Sequence, residues 1–182
     1  MPESPTLLLL SSFYFMLPAY FANMAPVIVK KINIFKFPVD FGKKKSNKRI
    51  FGENKTFRGL IFGIIFAIII SFFQFLLYKN NFLLEISFID YSNWLLFGFL
   101  MGFGALIGDL TKSFFKRRLN YKPGQSFVPF DQVDFVIGAL IFIYPLIKLS
   151  IELMIIIILL SFALDIIVNH LSYYLKIRNE KW

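Results

Sequence analysis

Three carboxylates and a set of cations stand out in a chain otherwise built of apolar runs. The stretch GDLTKSFFKRRL, residues 108–119, carries Asp109, Lys112, Ser113, Lys116 and Arg117 at i, i+3, i+4, i+7 and i+8. A helix continued through it puts all five on one face. A carboxylate at the edge of an apolar run, followed one and two turns later by cations, can hold a metal and then the phosphates attached to it. Basic residues complementing a helix C-terminus would account for the lysines. They would not account for Asp109, and an acid at such depth is a functional candidate by default. A second stretch, PFDQVDFVIGAL (residues 129–140), places Asp131 and Asp134 three apart. If helical, they lie on nearly one face; the alternative is a helix cap with a second acid in the first turn. A third, FGKKKSNKRIFGENKTFRG (residues 41–59), joins Gly42, Gly52 and Gly59 with Lys55, Thr56 and Arg58. It is no P-loop, since the glycine five residues before the Gly-Lys pair and the preceding strand are both missing. Its charges suit phosphate binding and a topogenic basic loop that attracts anionic lipid equally well.

The elements that must position these residues are membrane spans. Of the 182 residues 57% are hydrophobic and 19% aromatic, there is no cysteine, and the net charge is +9; the mean hydropathy is +0.66. That composition excludes a disordered chain, a disulfide scaffold and an ordinary soluble domain. In so apolar a protein the basicity speaks for membrane topology and for anionic headgroups or phosphates, and no nucleic-acid partner is expected. Runs long enough to cross a bilayer lie at about 7–29, 60–78 and 91–110. Residues 135–175 are almost continuously apolar, and as one helix would be about 62 Å long, twice the hydrocarbon thickness. The run must break at Pro145, Lys148, Ser150 and Glu152, giving a short fourth span at 133–148 and a fifth at 151–175. The first span begins after a lone acid, Glu3, has no small-residue cleavage site, and reads as a retained helix rather than a signal peptide. Its Pro18 and Pro26 are tolerable where neighbouring helices satisfy the freed carbonyls.

The expectation is therefore an all-α integral membrane protein of five transmembrane helices, a single domain over 1–182. Loop 30–59, loop 111–132 and the residues after span five hold 18 of the 20 Lys and Arg. The positive-inside rule then puts the N-terminus outside and those three segments, with the C-terminus, in the cytoplasm. Span three leaves on the face where span four enters, so Asp109 can approach Asp131 and Asp134. Three carboxylates amid at least five cations make a plausible Mg²⁺ and polyphosphate site at the cytoplasmic face of a cell membrane. Elsewhere, Asp165 falls near mid-bilayer and should face the bundle with a partner. The lone His170 reads as structural, and Gly98 and Gly102 as a helix-packing pair.

GDLTKSFFKRRL followed by DQVDFVIGA resembles the CDP-archaeol synthases, archaeal CTP-dependent relatives of the CDP-diacylglycerol synthases. The likeness extends to Pro18, Ala19, Tyr20, Asn23, Pro26 and Val27, to Asp40 and GENKTFRG, and to Asn169 and Trp182. The Asp-Arg-X-Asp-Ser pattern of the wider group is replaced here by Asp131, Gln132, Val133, Asp134 and Phe135, and the Pro-Gly-His-Gly-Gly run is absent. Both departures favour the archaeal branch. In the first loop Glu53 stands where Asp is expected. The resemblance implies five spans and the transfer of a cytidylyl group from CTP to an unsaturated isoprenoid glyceryl ether phosphate lipid. It implies that Asp109, Asp131 and Asp134 bind Mg²⁺, with Lys116 beside them in the catalytic set. Lys112, Ser113, Lys116 and Arg117 would hold phosphates, while Lys55, Thr56 and Arg58 would close over CTP or the lipid headgroup. The rivals are a CDP-diacylglycerol synthase acting on phosphatidic acid and a non-catalytic subunit that binds anionic lipid; the second leaves three carboxylates in a basic field unexplained.

Overall fold

A computed structural model describes residues 4–122 and 125–174. Glu3, Leu175, Lys176, Arg178, Lys181 and Trp182, on which parts of the topology and resemblance arguments rest, lie outside the described residues. Five α-helices follow in chain order: α1 (Pro5–Ile28), α2 (Phe57–Lys79), α3 (Trp94–Arg118), α4 (Phe130–Ile143) and α5 (Ile151–Tyr174). A two-stranded hairpin, β1 (Lys44–Lys45) and β2 (Lys48–Arg49), sits in the α1–α2 connection. Among the described residues four helical stretches are long and apolar enough to cross a membrane: Pro5–Lys31, Phe57–Lys79, Tyr91–Arg118 and Ile151–Leu171.

The helix boundaries differ from the expected spans in one place. Beyond the third span α3 runs two further turns to Arg118 and carries its charged face with it, the continuation that the spacing from Asp109 to Arg117 calls for. The fourth, expected over 133–148, is helical only over Phe130–Ile143. At 14 residues, α4 is about 21 Å long and falls short of the hydrocarbon layer by itself. Pro145 ends it, and α5 restarts after Ser150, whose Oγ accepts the Leu153 N–H at 3.2 Å. The long apolar run thus breaks at the residues that predicted it.

A neighbouring helix also accommodates Pro18 of α1. Pro18 has no N–H for the Tyr14 carbonyl one turn back, and the buried Gln74 of α2 donates to that oxygen at 2.6 Å. Gly98 and Gly102 seat α3 on α2: a Cβ at Gly102 would lie 2.6 Å from that of Ala67. The α3–α4 contact is tighter. A Cβ at Gly104 would stand 2.6 Å from the Gly138 carbonyl, and one at Gly108 would strike the Asp134 carbonyl closer still. This backbone approach brings Asp109 and Asp134 to one level. Gly108→Ala is expected to push α3 and α4 apart and cost about 1–3 kcal/mol, read as a lower melting midpoint of the detergent-solubilised protein.

In α5, Asn169 Nδ2 donates to Asp165 Oδ2 at 2.7 Å, and His170 Nδ1 lies 2.9 Å from the Ile166 carbonyl.

Candidate functional site

The site is assembled from the last turns of α3, the first turn of α4 and the loop that precedes α2. Because α3 stays helical past Leu110, its Asp109, Lys112, Ser113, Lys116 and Arg117 share a face, and the α3–α4 glycine contact sets Asp131 and Asp134 against it. Lys112 is the centre. Its Nζ lies 3.3 Å from Asp109 Oδ1, 3.1 Å from Asp131 Oδ1 and 2.9 Å from Asp134 Oδ2. Lys55 reaches in from the loop to Asp109 Oδ2 at 2.5 Å. Lys116 Nζ donates to both oxygens of Asp131, at 3.0 and 2.9 Å, and to the Gln125 carbonyl at 2.5 Å. Asp131 Oδ2 also accepts the Phe127 N–H at 2.6 Å.

Two cavities meet at this cluster. On the loop side a pocket of about 180 Å³ is lined by residues 51–55 together with Lys112, Ser113, Lys116 and Arg117. On the other side a groove of about 460 Å³ runs between α3 and α4 along Ile107, Phe115, Phe130, Ile137 and Ile141, and ends on Lys112 and Asp134. The pocket is dominated by polar and charged side chains, whereas the groove is apolar apart from that end. Lys112 lines both.

The oxygen donors of three acids suit a hard cation such as Mg²⁺ in kind. The buried Asp134 Oδ2 faces the Lys112 ammonium at 2.9 Å. Among the described residues no three acidic or histidine side chains form a cage of their own; the Lys112 ammonium holds the place between them.

Two residues expected in the site do different work. The Thr56 hydroxyl caps α2, accepting the Gly59 N–H at 3.3 Å. The Arg58 guanidinium donates to the Ile32 carbonyl at 2.5 Å. Neither side chain lines the pocket. Glu53 is on its rim, 3.6 Å from Arg49 and 84% exposed.

The loop owes its shape to Asp40, which the spacing of acids and cations does not single out. Its buried carboxylate takes Arg49 Nη2 at 2.6 Å and Nε at 3.2 Å, and the N–H groups of Gly42, Phe51 and Gly52 at 3.0, 3.1 and 3.2 Å. Burial alone would raise this carboxyl, but Arg49 and the three N–H donors hold it well below the usual carboxylate range. Gly52 has φ +107°, open to glycine alone in practice. Its Cβ position would be 3.6 Å from Arg117 Nε, so this turn lays the loop directly over α3. Arg118 ties the hairpin down, donating to the carbonyls of Lys45, Lys48 and Arg49 at 2.7, 3.2 and 2.7 Å.

Fold and site together define a multi-pass, mostly helical membrane protein with a cation-lined pocket opening beside an apolar groove. Comparison with known proteins narrows this. The family profile described as CarS-like, CDP-archaeol synthase, matches residues 6–182. The CDP-archaeol synthase of Pyrococcus furiosus is 36% identical over 175 residues, 96% of this chain and 98% of that one. That of Methanocaldococcus jannaschii is 35% identical over 177 residues, 96% and 98% of the two chains. A solved structure of an intramembrane enzyme for archaeal membrane lipid biosynthesis superposes with a TM-score of 0.71 at 27% identity, covering 86% of this chain and 90% of the other. The chain belongs to the CDP-archaeol synthase family, and is a cytidylyltransferase enzyme of archaeal lipid synthesis.

Proposed function

We propose that the chain transfers the cytidylyl group of CTP to 2,3-di-O-geranylgeranylglyceryl phosphate, releasing pyrophosphate and leaving unsaturated CDP-archaeol. The observation that carries this reading is the position of Lys112, shared by a cationic pocket of nucleotide-phosphate character and an apolar groove suited to an isoprenoid chain. A lipid phosphate oxygen attacks the α-phosphorus of CTP, and the bond to the bridging oxygen of the β-phosphate breaks. The attacking phosphomonoester is already largely dianionic near neutrality, with a second pKa of about 6, so no protein nucleophile is needed. Catalysis rests on bringing two anions together and stabilising charge on the departing pyrophosphate.

In this reading Lys112 and Lys116, with Ser113 and Arg117, bind phosphate oxygens, and Lys55 closes the pocket from the loop. Thr56 and Arg58 support that loop from its α2 end. Asp109, Asp131 and Asp134 are the residues that would hold Mg²⁺, which when bound neutralises phosphate charge. The chain crosses the bilayer five times, with α4 and the segment to Ser150 as the short fourth passage. Its N-terminus is outside and the pocket faces the cytoplasm, in keeping with the 15 Lys and Arg of the two loops beside the site.

The test is incorporation of radiolabelled CTP into lipid by the purified protein. Di-geranylgeranylglyceryl phosphate, its saturated analogue and phosphatidic acid are compared, each with Mg²⁺ and with excess chelator. Labelling of the unsaturated ether lipid is expected, and is lost on chelation. Preference for phosphatidic acid would overturn the substrate assignment; undiminished labelling in chelator would overturn the cation.

A further inference from the structure

The connection between α1 and the hairpin has two unlike sides. Inward, its backbone is bonded to the start of α2. The Val39 N–H donates to the Lys55 carbonyl at 2.8 Å, the Phe57 N–H to that of Phe37 at 3.0 Å and the Arg58 N–H to that of Phe35 at 2.8 Å. Those bonds fix its depth: residues 32–39 lie beside the first turn of a helix that is apolar from Leu60 onward, at the level where α2 enters the bilayer.

Outward, the same segment shows Ile32, Ile34, Phe35, Phe37 and Phe41, with Phe37 and Phe41 each 67% exposed. Lys30, Lys31, Lys36 and the hairpin's Lys43, Lys44 and Lys45 are exposed around them. No acid offsets these charges between residues 29 and 52 other than the buried Asp40. Phe35 and Phe41 have φ of 48° and 47°, a left-handed conformation that bulky L side chains seldom adopt. A loop bathed in water gains nothing by straining its backbone to leave aromatic rings exposed. Removal of the rings into an apolar medium offsets both terms.

We propose that residues 30–48 are a docking surface for the anionic headgroup layer of the bilayer that the helices cross. Ile32, Ile34, Phe35, Phe37 and Phe41 reach to the acyl boundary, and the lysines lie among the lipid phosphates. The surface continues the bilayer-facing end of α1, where Val27 is 75% and Ile28 53% exposed. The loop therefore runs along the membrane instead of standing out in the cytosol. Through Arg118 and the Lys48 ammonium, which donates to the Arg118 carbonyl at 3.1 Å, this surface is tied to the helix that bears the site. The inference is independent of which reaction the site performs.

The absence of cysteine permits single-site labelling of the full-length chain. Nitroxide is attached in Phe37→Cys and Ile34→Cys for the apolar face, Lys45→Cys for the hairpin and Ile65→Cys as a reference on the exposed face of α2. Each is reconstituted in phosphatidylcholine alone and in phosphatidylcholine with phosphatidylglycerol. Accessibility to oxygen and to a water-soluble nickel chelate reports depth. In anionic bilayers, labels at 34 and 37 are expected to approach the oxygen-to-nickel ratio at 65, while 45 stays among the headgroups. High salt, or the charge-removing set Lys43→Gln, Lys44→Gln and Lys45→Gln, should shift 34 and 37 toward water. The proposal is overturned if both 34 and 37 are as open to nickel as a label in free solution in either lipid. It is equally overturned if their depth is indifferent to anionic lipid, to salt and to the lysines. Labels at two positions guard against one substitution distorting the loop.

Discussion

Asp134→Asn and Lys112→Met, made singly, are each expected to lower the rate of cytidylyl transfer by about 10²–10³-fold. Made together they should cost little more than either alone. Lys112 is held by three carboxylates at once, and of these contacts the 2.9 Å one to the buried Asp134 Oδ2 is the shortest. They act as a unit, and residues that act as a unit are strongly non-additive. Stability separates their two contributions. Lys112→Met leaves three partly buried acids facing one another without their central cation, the costly way to break such a cluster. Asp134→Asn removes one negative charge and leaves the lysine paired with two others. The lysine variant should therefore melt at the lower temperature, and adding Asp134→Asn to it should recover part of the lost stability while the rate stays as low as in either single variant. Turnover with labelled CTP and a melting curve on each of the four proteins check this. Additive rate losses, or a Lys112→Met protein that works nearly as well as the parent, would remove Lys112 from the centre of the reaction.

Much of this arrangement is legible in the sequence, because helical periodicity and membrane length are local properties. The spacing from Asp109 to Arg117 predicts the charged face of α3 once the helix continues into the aqueous phase. Because span three leaves on the face where span four enters, the pairing of Asp131 with Asp134 predicts that α4 meets it there, whereas the close approach at Gly108 and Gly138 is visible only in the structure. The break at Pro145 follows from run length and proline chemistry alone. What stayed hidden depends on contacts between residues far apart in the chain. Lys55 and Asp109 are 54 positions apart, and no periodicity links them. Thr56 and Arg58 sit beside Lys55 and carry the same polar character. Yet a residue at a helix N-terminus is drawn to its orphan N–H groups, and a long guanidinium to the nearest free carbonyl, so they serve α2 and the Ile32 turn instead. The exact end of the short α4 depends on a related effect: residues 144–148 read as span, but a proline and the turn after Ile143 remove them from the helix.

Asp40 is where this long-range order has its largest consequence away from the acid cluster. Asp40→Asn is expected to raise the KM for CTP about tenfold or more while altering the turnover of saturated enzyme much less. Asparagine keeps the shape of the side chain but surrenders the charge that Arg49 and three N–H groups converge on, and a buried group deprived of its charged partner costs about 1–3 kcal/mol. That is enough to let residues 49–55 leave α3, where residues 51–55 form one wall of the pocket beside Lys112, Ser113, Lys116 and Arg117. Reattachment must then precede nucleotide binding, and affinity falls by the fraction of time the loop is open. The acids and lysines on α3 and α4 are untouched, so chemistry in the closed state persists. Asp40→Glu, which restores the charge with one extra methylene, should recover part of the KM. A purely structural defect would lower activity at all CTP concentrations alike, without that rescue. The pH response has a definite sign. The Asp40 carboxyl titrates below its unfolded value of about 3.9 because Arg49 and the N–H donors outweigh its burial. Its stabilising contribution is therefore complete above that pH and is lost only as pH falls through the lower folded value. Amide exchange at residues 49–55 should thus show the loop equally protected at pH 5 and pH 7 in the parent, and open at both in Asp40→Asn. A parent loop that opens between pH 7 and pH 5 would mean that some other group, and not Asp40, holds it over the site.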